Sequence, residues 1–373
     1  MKSLRTFEVK LLCMNLNEII FFFLFISIIF GVLWLDLSVI GKKSHILPFK
    51  EALGWTLLWV FLGLLFFLFI KTHGDLIHGR DINKDGIVNI DDLKQLQIRY
   101  DHPINFDGLN YEEALKVYRH NMSLEYITGY LLEYALSVDN VFVMILIFLS
   151  FGVKEIYYKR VLFWGIIGAI IMRFVFIFLS ATLIHKFSWI LYVFGGFLVF
   201  TGIQMFIERN KKAKIDTDNH PAVKFVSKYF SVYKGDSGKK FWLRENSKFY
   251  FTPLFIVLLV IEFSDVIFAF DSVPAIFSVT QDPYVVFFSN IFAILGLRSL
   301  FFLVVHVIHL FEYLKIGLSV LLVFIGTKMF LHNWLEEIGF TTAHSLYIIL
   351  LILSLSIIAS LLFPSKEKNR VEI

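Results

Sequence analysis

Cysteine is almost absent from the sequence, since Cys13 is the single one among 373 residues. An intramolecular disulfide is therefore impossible, and a zinc or iron–sulfur site built on cysteine is not expected. Charged residues are also scarce, at 18% against about 25% in a typical soluble domain. The formal net charge of +4 gives no global electrostatic support for nucleic-acid binding, so nucleic acid is not an expected partner.

Two motifs that would indicate an enzyme are also missing. No segment of the type Gly-x-x-x-x-Gly-Lys is present, so a built-in ATPase is unsupported. No Gly-x-Gly-Asp segment of an intramembrane aspartyl protease is present either. We therefore expect a protein that is not an enzyme.

Long uncharged apolar runs are what the sequence has instead. Hydrophobic residues make up 57% of it, and the mean hydropathy is +0.72. A bilayer core requires about 20 apolar residues per helix, so we predict an all-α, polytopic membrane protein with about nine spans. The first run is long and lacks a small-residue cleavage site, so we interpret it as a span and not as a cleavable signal peptide. The predicted spans are 19–40, 52–70, 126–149, 161–184, 188–207, 250–278, 284–308, 314–332 and 342–363.

The distribution of Lys and Arg among the loops predicts an orientation. Basic residues are more frequent on the side that holds the 208–249 loop and the C-terminal tail. Cytoplasmic loops are enriched in Lys and Arg. We therefore expect a multi-pass protein of the plasma (inner) membrane with a cytoplasmic C-terminus and an external N-terminus.

An internal repeat divides the membrane part of the chain. Three landmarks recur in the same order with offsets of 132, 125 and 124 residues, and a chance similarity among Phe- and Leu-rich helices is the alternative explanation. Each copy would contain three spans, so the second copy would enter the membrane from the opposite face, as in many secondary transporters. The matching pairs are 133–140 with 265–272, Arg173 with Arg298, and 198–206 with 322–330. The predicted units are N-terminal spans 1–74, an insertion 75–120, a first repeat 121–207, a basic cytoplasmic loop 208–249, a second repeat 250–332, and a last span with a basic tail 333–373.

Five carboxylates interrupt spans 3 and 6. An acidic residue at the centre of a membrane helix costs about 2.5–3.5 kcal/mol on insertion scales, so passive packing does not explain five of them. Either they hold a cation, or they pair with Arg173 and Arg298, although two cations cannot neutralise five anions. The predicted ligands of a transported cation are Glu133, Asp139, Asn140, Glu262, Asp265, Asp271 and Ser272.

The spacing of these carboxylates restricts how one centre could be built. On an unbroken helix Glu133 and Asp139 lie 120° apart at 100° per residue, and Asp265 and Asp271 have the same offset. A break at Pro274, which lacks a backbone donor, would make a single centre easier to form. All the predicted ligands are oxygen donors, which favours Mg²⁺, Ca²⁺ or Mn²⁺ over Zn²⁺ or Cu⁺.

Several motifs resemble the TerC family of integral membrane proteins. They include Glu133-Tyr-Ala-Leu-Ser-Val-Asp-Asn, Glu262-Phe-Ser-Asp-Val-Ile-Phe-Ala-Phe-Asp-Ser-Val-Pro and Ser289-Asn-Ile-Phe-Ala-Ile-Leu-Gly-Leu-Arg. The resemblance runs over about residues 50–362, outside the insertion, and is greatest to the manganese-exporting (Alx-like) branch, whose architecture is similar to that of LysE-type exporters. It implies Mn²⁺ efflux with the ion carried by the acidic motifs. The preference for manganese comes from this resemblance and not from the ligand chemistry.

The insertion contains a calcium-loop pattern at residues 81–92. It fits an EF-hand at positions 1, 3, 5 and 9, with Gly86 at the sharp turn, and it also resembles a dockerin loop. Position 12 is Asp92 and not the usual Glu, and the shorter side chain predicts a lower affinity. A polar turn is the alternative, because Asp, Asn and Gly favour turns in general. The pattern predicts an exiting helix at 91–100, a degenerate partner around Gly108, and Ca²⁺ held outside the cytoplasm. The predicted calcium ligands are Asp81, Asn83, Asp85, Ile87, Asn89 and Asp92.

Efflux of Mn²⁺ by alternating access is the function that these features favour. The main alternative is a structural factor that assists the assembly of other membrane proteins, for which Asp139 and Asp271 would be dispensable. A calcium sensor without transport is a variant of this alternative. The expected partners are a divalent metal ion and the lipid bilayer.

Overall fold

The computed structural model describes residues 16–40, 48–79, 89–187, 189–208, 240–245, 248–307 and 313–363. Almost all of them are helical, and one short hairpin is the exception. The predicted ligands Asp81, Asn83, Asp85 and Ile87 lie outside the described residues. The helices are α1 Leu16–Ile40, α2 Phe49–His73, α3 Asp75–His78, α4 Ile90–Tyr100, α5 Tyr111–Ser150, α6 Tyr158–Lys186, α7 Ile190–Glu208, α8 Pro253–Phe277, α9 Pro283–Leu295, α10 Leu297–Val307, α11 Leu314–Phe330, α12 His332–Glu337 and α13 Thr342–Leu362, and the strands are β1 Trp242–Glu245 and β2 Lys248–Phe251.

Seven of these helices are long and apolar enough to cross a membrane, and the bent pair α9–α10 raises the number to eight. The chain is therefore a polytopic membrane protein, as predicted. The remaining predicted span, 314–332, is α11, a helix of 17 residues at the lower limit of a spanning length. Large apolar side chains such as Phe23, Leu58 and Leu355 are exposed, which is typical of helices that face lipid.

The break predicted in span 6 is not observed. Helix α8 is continuous from Pro253 to Phe277, and Pro274 lies inside it. Pro274 is in the last turn of the helix, where the missing donor affects only the carbonyl of Phe270 and leaves most of the helix unchanged. A break is found instead in span 7, where α9 and α10 meet at Gly296 with a bend of 45°.

Helices α4 and α5 begin in the insertion, and each has a capped N-terminus. Asn89 caps α4, and Asn110 caps α5, each in a reciprocal capping box with the residue three positions later. Side chains between the two caps, among them Leu93, Leu96 and Phe106, are buried. Helix α4 agrees with the exiting helix predicted at 91–100. The predicted boundary at residue 120 lies within α5, which runs from the insertion into the membrane without interruption.

Helices α7 and α11 pack in opposite directions through small residues. A Cβ added at Gly195 would lie 3.0 Å from the carbonyl oxygen of Gly326, and one added at Gly202 would lie 2.8 Å from the carbonyl oxygen of Ser319. These close approaches require glycine, as at many helix contacts in membranes. The two helices carry the third landmark of the predicted repeat.

Candidate cation site in the membrane core

Helices α5 and α8 carry the predicted carboxylates and run in opposite directions. Thr280, just beyond α8, donates a hydrogen bond of 2.7 Å to Glu125 Oε2 in the first half of α5. A Cβ at Gly129 would lie 3.1 Å from Ile276 Cγ2. Helix α6 packs along α8 in the same direction as α8, so that Phe176 contacts Phe270. The acidic segments of α5 and α8 therefore lie at the crossing of the two helices.

One pair of carboxylates is arranged around Arg173. Glu133 Oε2 lies 2.7 Å from Arg173 Nη1, and both side chains are buried. Arg173 Nη1 also donates a hydrogen bond of 2.5 Å to Asn290 Oδ1. Asp265 lies within electrostatic reach of both Arg173 and Glu133. The guanidinium thus contributes its positive charge to a carboxylate from α5 and a carboxylate from α8.

A second pair consists of Asp139 and Asp271, again with one residue from each helix. Both are partly buried. Asp271 lies within electrostatic reach of Asp139, and Asp139 lies within electrostatic reach of Lys315. Thr201 on α7 is a hydrogen-bond partner of the Asp271 carboxylate. Two anions within electrostatic reach repel each other, so a cation between them would be favourably placed.

Glu262 occupies space that a glycine leaves open. A Cβ added at Gly168 on α6 would lie 2.1 Å from the Glu262 carboxylate oxygens, so no residue with a side chain could replace Gly168 without displacing Glu262. Glu262 is half-buried, its carboxylate lies against Gly168 of α6, and it is within electrostatic reach of Asp265.

Several buried polar atoms at this crossing have no hydrogen-bond partner among the described residues. They are both carboxylate oxygens of Asp265, Asp271 Oδ1, Asn140 Nδ2 and Ser272 Oγ. Buried polar groups in proteins are almost always hydrogen-bonded or bound to an ion. A carboxylate without donors is expensive to bury unless a cation or a proton neutralises it. The two Asp residues and their polar neighbours therefore have the chemistry of an ion-binding surface.

Four of the predicted carboxylates form two pairs, Glu262 belongs to neither, and the five do not form one compact centre. Within the described ranges, no three side chains of the types Asp, Glu, His and Cys come close enough together to hold a metal ion. The straight course of α8 explains this division, because Asp265 and Asp271 point in directions 120° apart on an unbroken helix. Additional ligands would have to come from neutral oxygens such as those of Asn140 and Ser272.

The two described members of the calcium loop cap α4. Asn89 Oδ1 accepts hydrogen bonds from the backbone N–H groups of Asp91 and Asp92, at 2.8 and 3.3 Å. Asp92 Oδ2 accepts one of 3.0 Å from the Asn89 N–H, and Asp92 is buried. A helix that starts directly after position 9 of the loop is the arrangement that an EF-hand requires.

A buried ionic network next to the insertion was not predicted from the sequence. His78 Nδ1 lies 3.1 Å from Glu18 Oε1, and His78 Nε2 lies 2.8 Å from Asp282 Oδ2. Burial alone would lower the pKa of His78, but the adjacent carboxylates of Asp282 and Glu18 outweigh it and raise the pKa to about 9. Tyr100 and Tyr284 donate further hydrogen bonds to Glu18, at 2.9 and 3.3 Å. His78 is thus an imidazolium held between two carboxylates.

Glu125 forms the second part of this network. Its Oε1 lies 3.0 Å from His102 Nδ1 and accepts a hydrogen bond of 2.6 Å from Asn121. Its Oε2 accepts the hydrogen bond of Thr280. We call Glu18, His78, His102, Glu125 and Asp282 the insertion-side network. Its members come from helix ends, a loop and the first half of α5, far apart in the sequence. The one local signal was Asp282 before Pro283, a typical helix N-cap.

A cavity of about 540 Å³ lies near this network, between the ends of α6, α8 and α11. Asp101, His185 and Lys328 line it, and Lys328 donates a hydrogen bond of 2.8 Å to the carbonyl oxygen of Ser278. None of the predicted cation ligands lines this cavity, so it does not correspond to the predicted metal site. A much smaller cleft adjoins Asp265 and Arg298.

The comparisons with known proteins agree on one family. The model of the family described as "Integral membrane protein TerC family" matches residues 118–368 of this chain. An uncharacterized membrane protein of Myxococcus xanthus is 38% identical over 338 residues, which are 91% of this chain and 91% of that protein. No solved structure matches the chain.

Other relatives carry a name that refers to redox. A "putative membrane-bound redox modulator Alx" of Salmonella typhi is 38% identical over 306 residues, or 82% of this chain and 83% of that protein. The protein of the same name in Escherichia coli is 37% identical over 304 residues, or 80% and 81% of the two chains.

Proposed function

Because the chain belongs to the TerC family of integral membrane proteins, we propose that it carries a divalent cation, with Mn²⁺ as the preferred ion, out of the cytoplasm. The observation that carries this proposal is the partner-free state of buried carboxylate oxygens on Asp265 and Asp271. A stable soluble or structural protein would gain from replacing such groups with apolar residues. Their presence at a helix crossing inside a membrane fits a path for an ion.

The chemistry of the donors supports a hard divalent ion. Carboxylate, amide and hydroxyl oxygens surround the crossing of α5 and α8, and the only cysteine of the chain, Cys13, is far away in the sequence. Such ligands suit Mg²⁺, Ca²⁺ and Mn²⁺. Transport of a redox-active metal is also compatible with relatives that are named redox modulators.

An inverted repeat would provide the alternating access that a carrier requires. In the predicted alignment Gly202 corresponds to Gly326, and Gly195 corresponds to Ser319. The contact between Gly195 and Gly326 therefore has its counterpart in the contact between Gly202 and Ser319. Val199 against Gly326 and Val323 against Gly202 form another such pair. These paired contacts support a two-fold relation between the halves, and rocking of one half against the other would expose the carboxylates to each side in turn.

Metal flux through the purified protein tests this proposal. Wild-type protein in liposomes with an entrapped fluorescent chelator should carry Mn²⁺, and Asp139→Asn and Asp271→Asn should each reduce the initial rate at least tenfold. Glu112→Gln is the matched control, because Glu112 is exposed on the same helix as Asp139 but lies outside the membrane core. Equal rates in the wild type and both Asn variants would exclude transport through these residues and would favour an assembly factor.

The loop at 81–92 would bind Ca²⁺ on the external side of the membrane. The start of α4 immediately after Asn89 supports this proposal, since an EF-hand loop delivers its last ligands from the first turn of the exiting helix. Terbium luminescence of the full-length protein in detergent should titrate to saturation. Asp85→Asn should weaken the titration at least tenfold, whereas the control Asp107→Asn should not. A titration that is unaffected by Asp85→Asn would reassign the loop as a polar turn.

A further inference from the structure

Arg173 is the most deeply buried cation at the helix crossing, and its guanidinium is shielded from water. Its side chain is 1% exposed. The polar or charged groups around it are Glu133 on α5, Asp265 on α8 and Asn290 on α9. A guanidinium at this depth in a membrane is retained only where its charge has a use. The nearest anions are two of the predicted metal ligands.

The pairing of Arg173 with these anions is incomplete. A guanidinium has five N–H donors, yet Arg173 Nε and Nη2 have no hydrogen-bond partner among the described residues. Both oxygens of Asp265 also lack one, although Asp265 lies within electrostatic reach of the guanidinium. Unused buried donors and unused buried acceptors thus lie within electrostatic reach of each other. This arrangement favours a guanidinium that can shift between carboxylates over one that is fixed by a complete set of bonds.

Asn290 gives Arg173 a partner that does not depend on the carboxylates. Its Nδ2 donates a hydrogen bond of 2.8 Å to the carbonyl oxygen of Val286, one turn earlier on α9. This bond fixes the orientation of the amide, so that Oδ1 must face Arg173. Asn290 is fully buried and cannot turn to water. Arg173 therefore keeps one acceptor even when Glu133 turns to another cation.

We propose that Arg173 is a built-in substitute for the transported metal: its guanidinium pairs with Glu133 and Asp265 and offsets one of their two negative charges when no metal is bound, and it withdraws to Asn290 when a divalent ion takes its place. The inference rests on the proposed transport function and extends it to the step in which the empty carrier returns. A carrier that re-orients with two bare carboxylates would move uncompensated charge through the membrane. The resident guanidinium halves the uncompensated charge and so lowers that barrier, which makes Arg173 a positioning residue for the return step.

Two transport measurements separate this role from a structural one. Exchange of radioactive Mn²⁺ for unlabelled Mn²⁺ needs only the loaded carrier, whereas net flux also needs the empty carrier to return. Arg173→Gln should retain exchange within about threefold of the wild type but should lose net flux at least tenfold. It should also bind Mn²⁺ about tenfold more tightly, because the competing cation is gone. Arg173→Lys should partly restore net flux, because it restores the charge.

Asn290→Ala provides an independent test with the opposite sign. Without its fixed acceptor the guanidinium should remain on Glu133, so Mn²⁺ should bind at least threefold more weakly than in the wild type. This variant keeps every charged residue, and it decides the question if Arg173→Gln does not fold. Unchanged Mn²⁺ affinity in Asn290→Ala, or an equal loss of exchange and net flux in Arg173→Gln, would overturn the inference.

The failure of this inference differs from the failure of the transport proposal. If wild-type protein neither binds nor exchanges Mn²⁺, the transport proposal fails and the role of Arg173 fails with it. If wild-type protein transports Mn²⁺ and Arg173→Gln keeps the wild-type ratio of net flux to exchange, only the role of Arg173 is refuted.

Discussion

Two buried groups of ionisable side chains occupy different parts of the molecule, and they are satisfied to very different degrees. In the insertion-side network every carboxylate oxygen of Glu18, Glu125 and Asp282 has a hydrogen-bond or ion-pair partner. At the helix crossing, both oxygens of Asp265 and one of Asp271 have none among the described residues. Asp265, which is as buried as the carboxylates of the network, thus lacks the partners that they all have.

The difference is what the proposed roles predict: one group stabilises the fold, and the other binds an ion. A buried network whose carboxylates are all paired is sensitive to substitution, because removing one partner leaves the others unpaired. An incomplete one costs stability and persists where function requires it. Neutralising a carboxylate should therefore have opposite effects on stability in the two regions.

The largest expected change in stability follows the removal of His78. His78→Ala would leave Glu18 and Asp282 buried without their shared cation, which should cost about 3–5 kcal/mol of unfolding free energy. The thermal midpoint of the protein in detergent should fall accordingly. His73→Ala is the control, since His73 is exposed one turn away, and it should change stability by no more than about 0.5 kcal/mol. Equal shifts in the two variants would show that the network does not hold the fold.

Stability should also depend on pH through His78. Its pKa of about 9 in the folded protein lies above the ordinary value of 6.5, so its stabilisation is fully present below pH 6.5 and is lost as the pH rises through about 9. The full loss amounts to roughly 3 kcal/mol. The pKa of His102 is also raised and acts in the same direction. The difference between wild type and His78→Gln across this range isolates His78, and parallel pH curves would contradict the assignment.

A bound metal should stabilise the helix crossing. Mn²⁺ at about 100 times its dissociation constant should raise the unfolding free energy by about 2.7 kcal/mol. The midpoint should shift in the wild type and in His73→Ala but not in Asp271→Asn, because that variant lacks one of the predicted ligands. A shift of the same size in Asp271→Asn would place the ion elsewhere.

The smallest expected effect is a gain. Asp271→Asn removes a like charge beside Asp139, so without metal it should raise stability by about 1 kcal/mol. Lower flux together with a higher midpoint would exclude misfolding as the cause of the lost transport. Asp282→Asn is the counterpart in the other region and should lower the midpoint. A decrease in both variants would remove the contrast between the two regions.

The sequence predicted the helix crossing better than the network. Asp139 and Asp271 stand out locally, because a carboxylate inside a long apolar run violates hydropathy by itself. Glu18, His78 and Asp282 lie at helix ends, where charged residues are common, and their contacts join positions 60 and 204 residues apart in the chain. No short-range pattern identifies such a contact.

The form of the helices was predicted less well than their positions. Pro274 was expected to break its helix, but its place in the last turn makes it harmless. The bend came at Gly296, which has no signal beyond its small size. The membrane part of α5 was predicted at 126–149, whereas the helix begins at Tyr111 because Asn110 and Glu113 form a capping box there. A helix can thus extend, through polar turns, beyond the apolar run by which hydropathy identifies it.

The length of α5 has a mechanical consequence. Its 40 residues span about 60 Å, roughly twice the thickness of the hydrocarbon core. One end starts in the insertion, and the other passes Glu133 and Asp139, with no proline between them to act as a joint. A tilt imposed on the first turn by anything that grips the insertion is transmitted along a single rigid rod. The first turns of α5, which belong to the insertion, are thus mechanically connected to the carboxylates at the helix crossing.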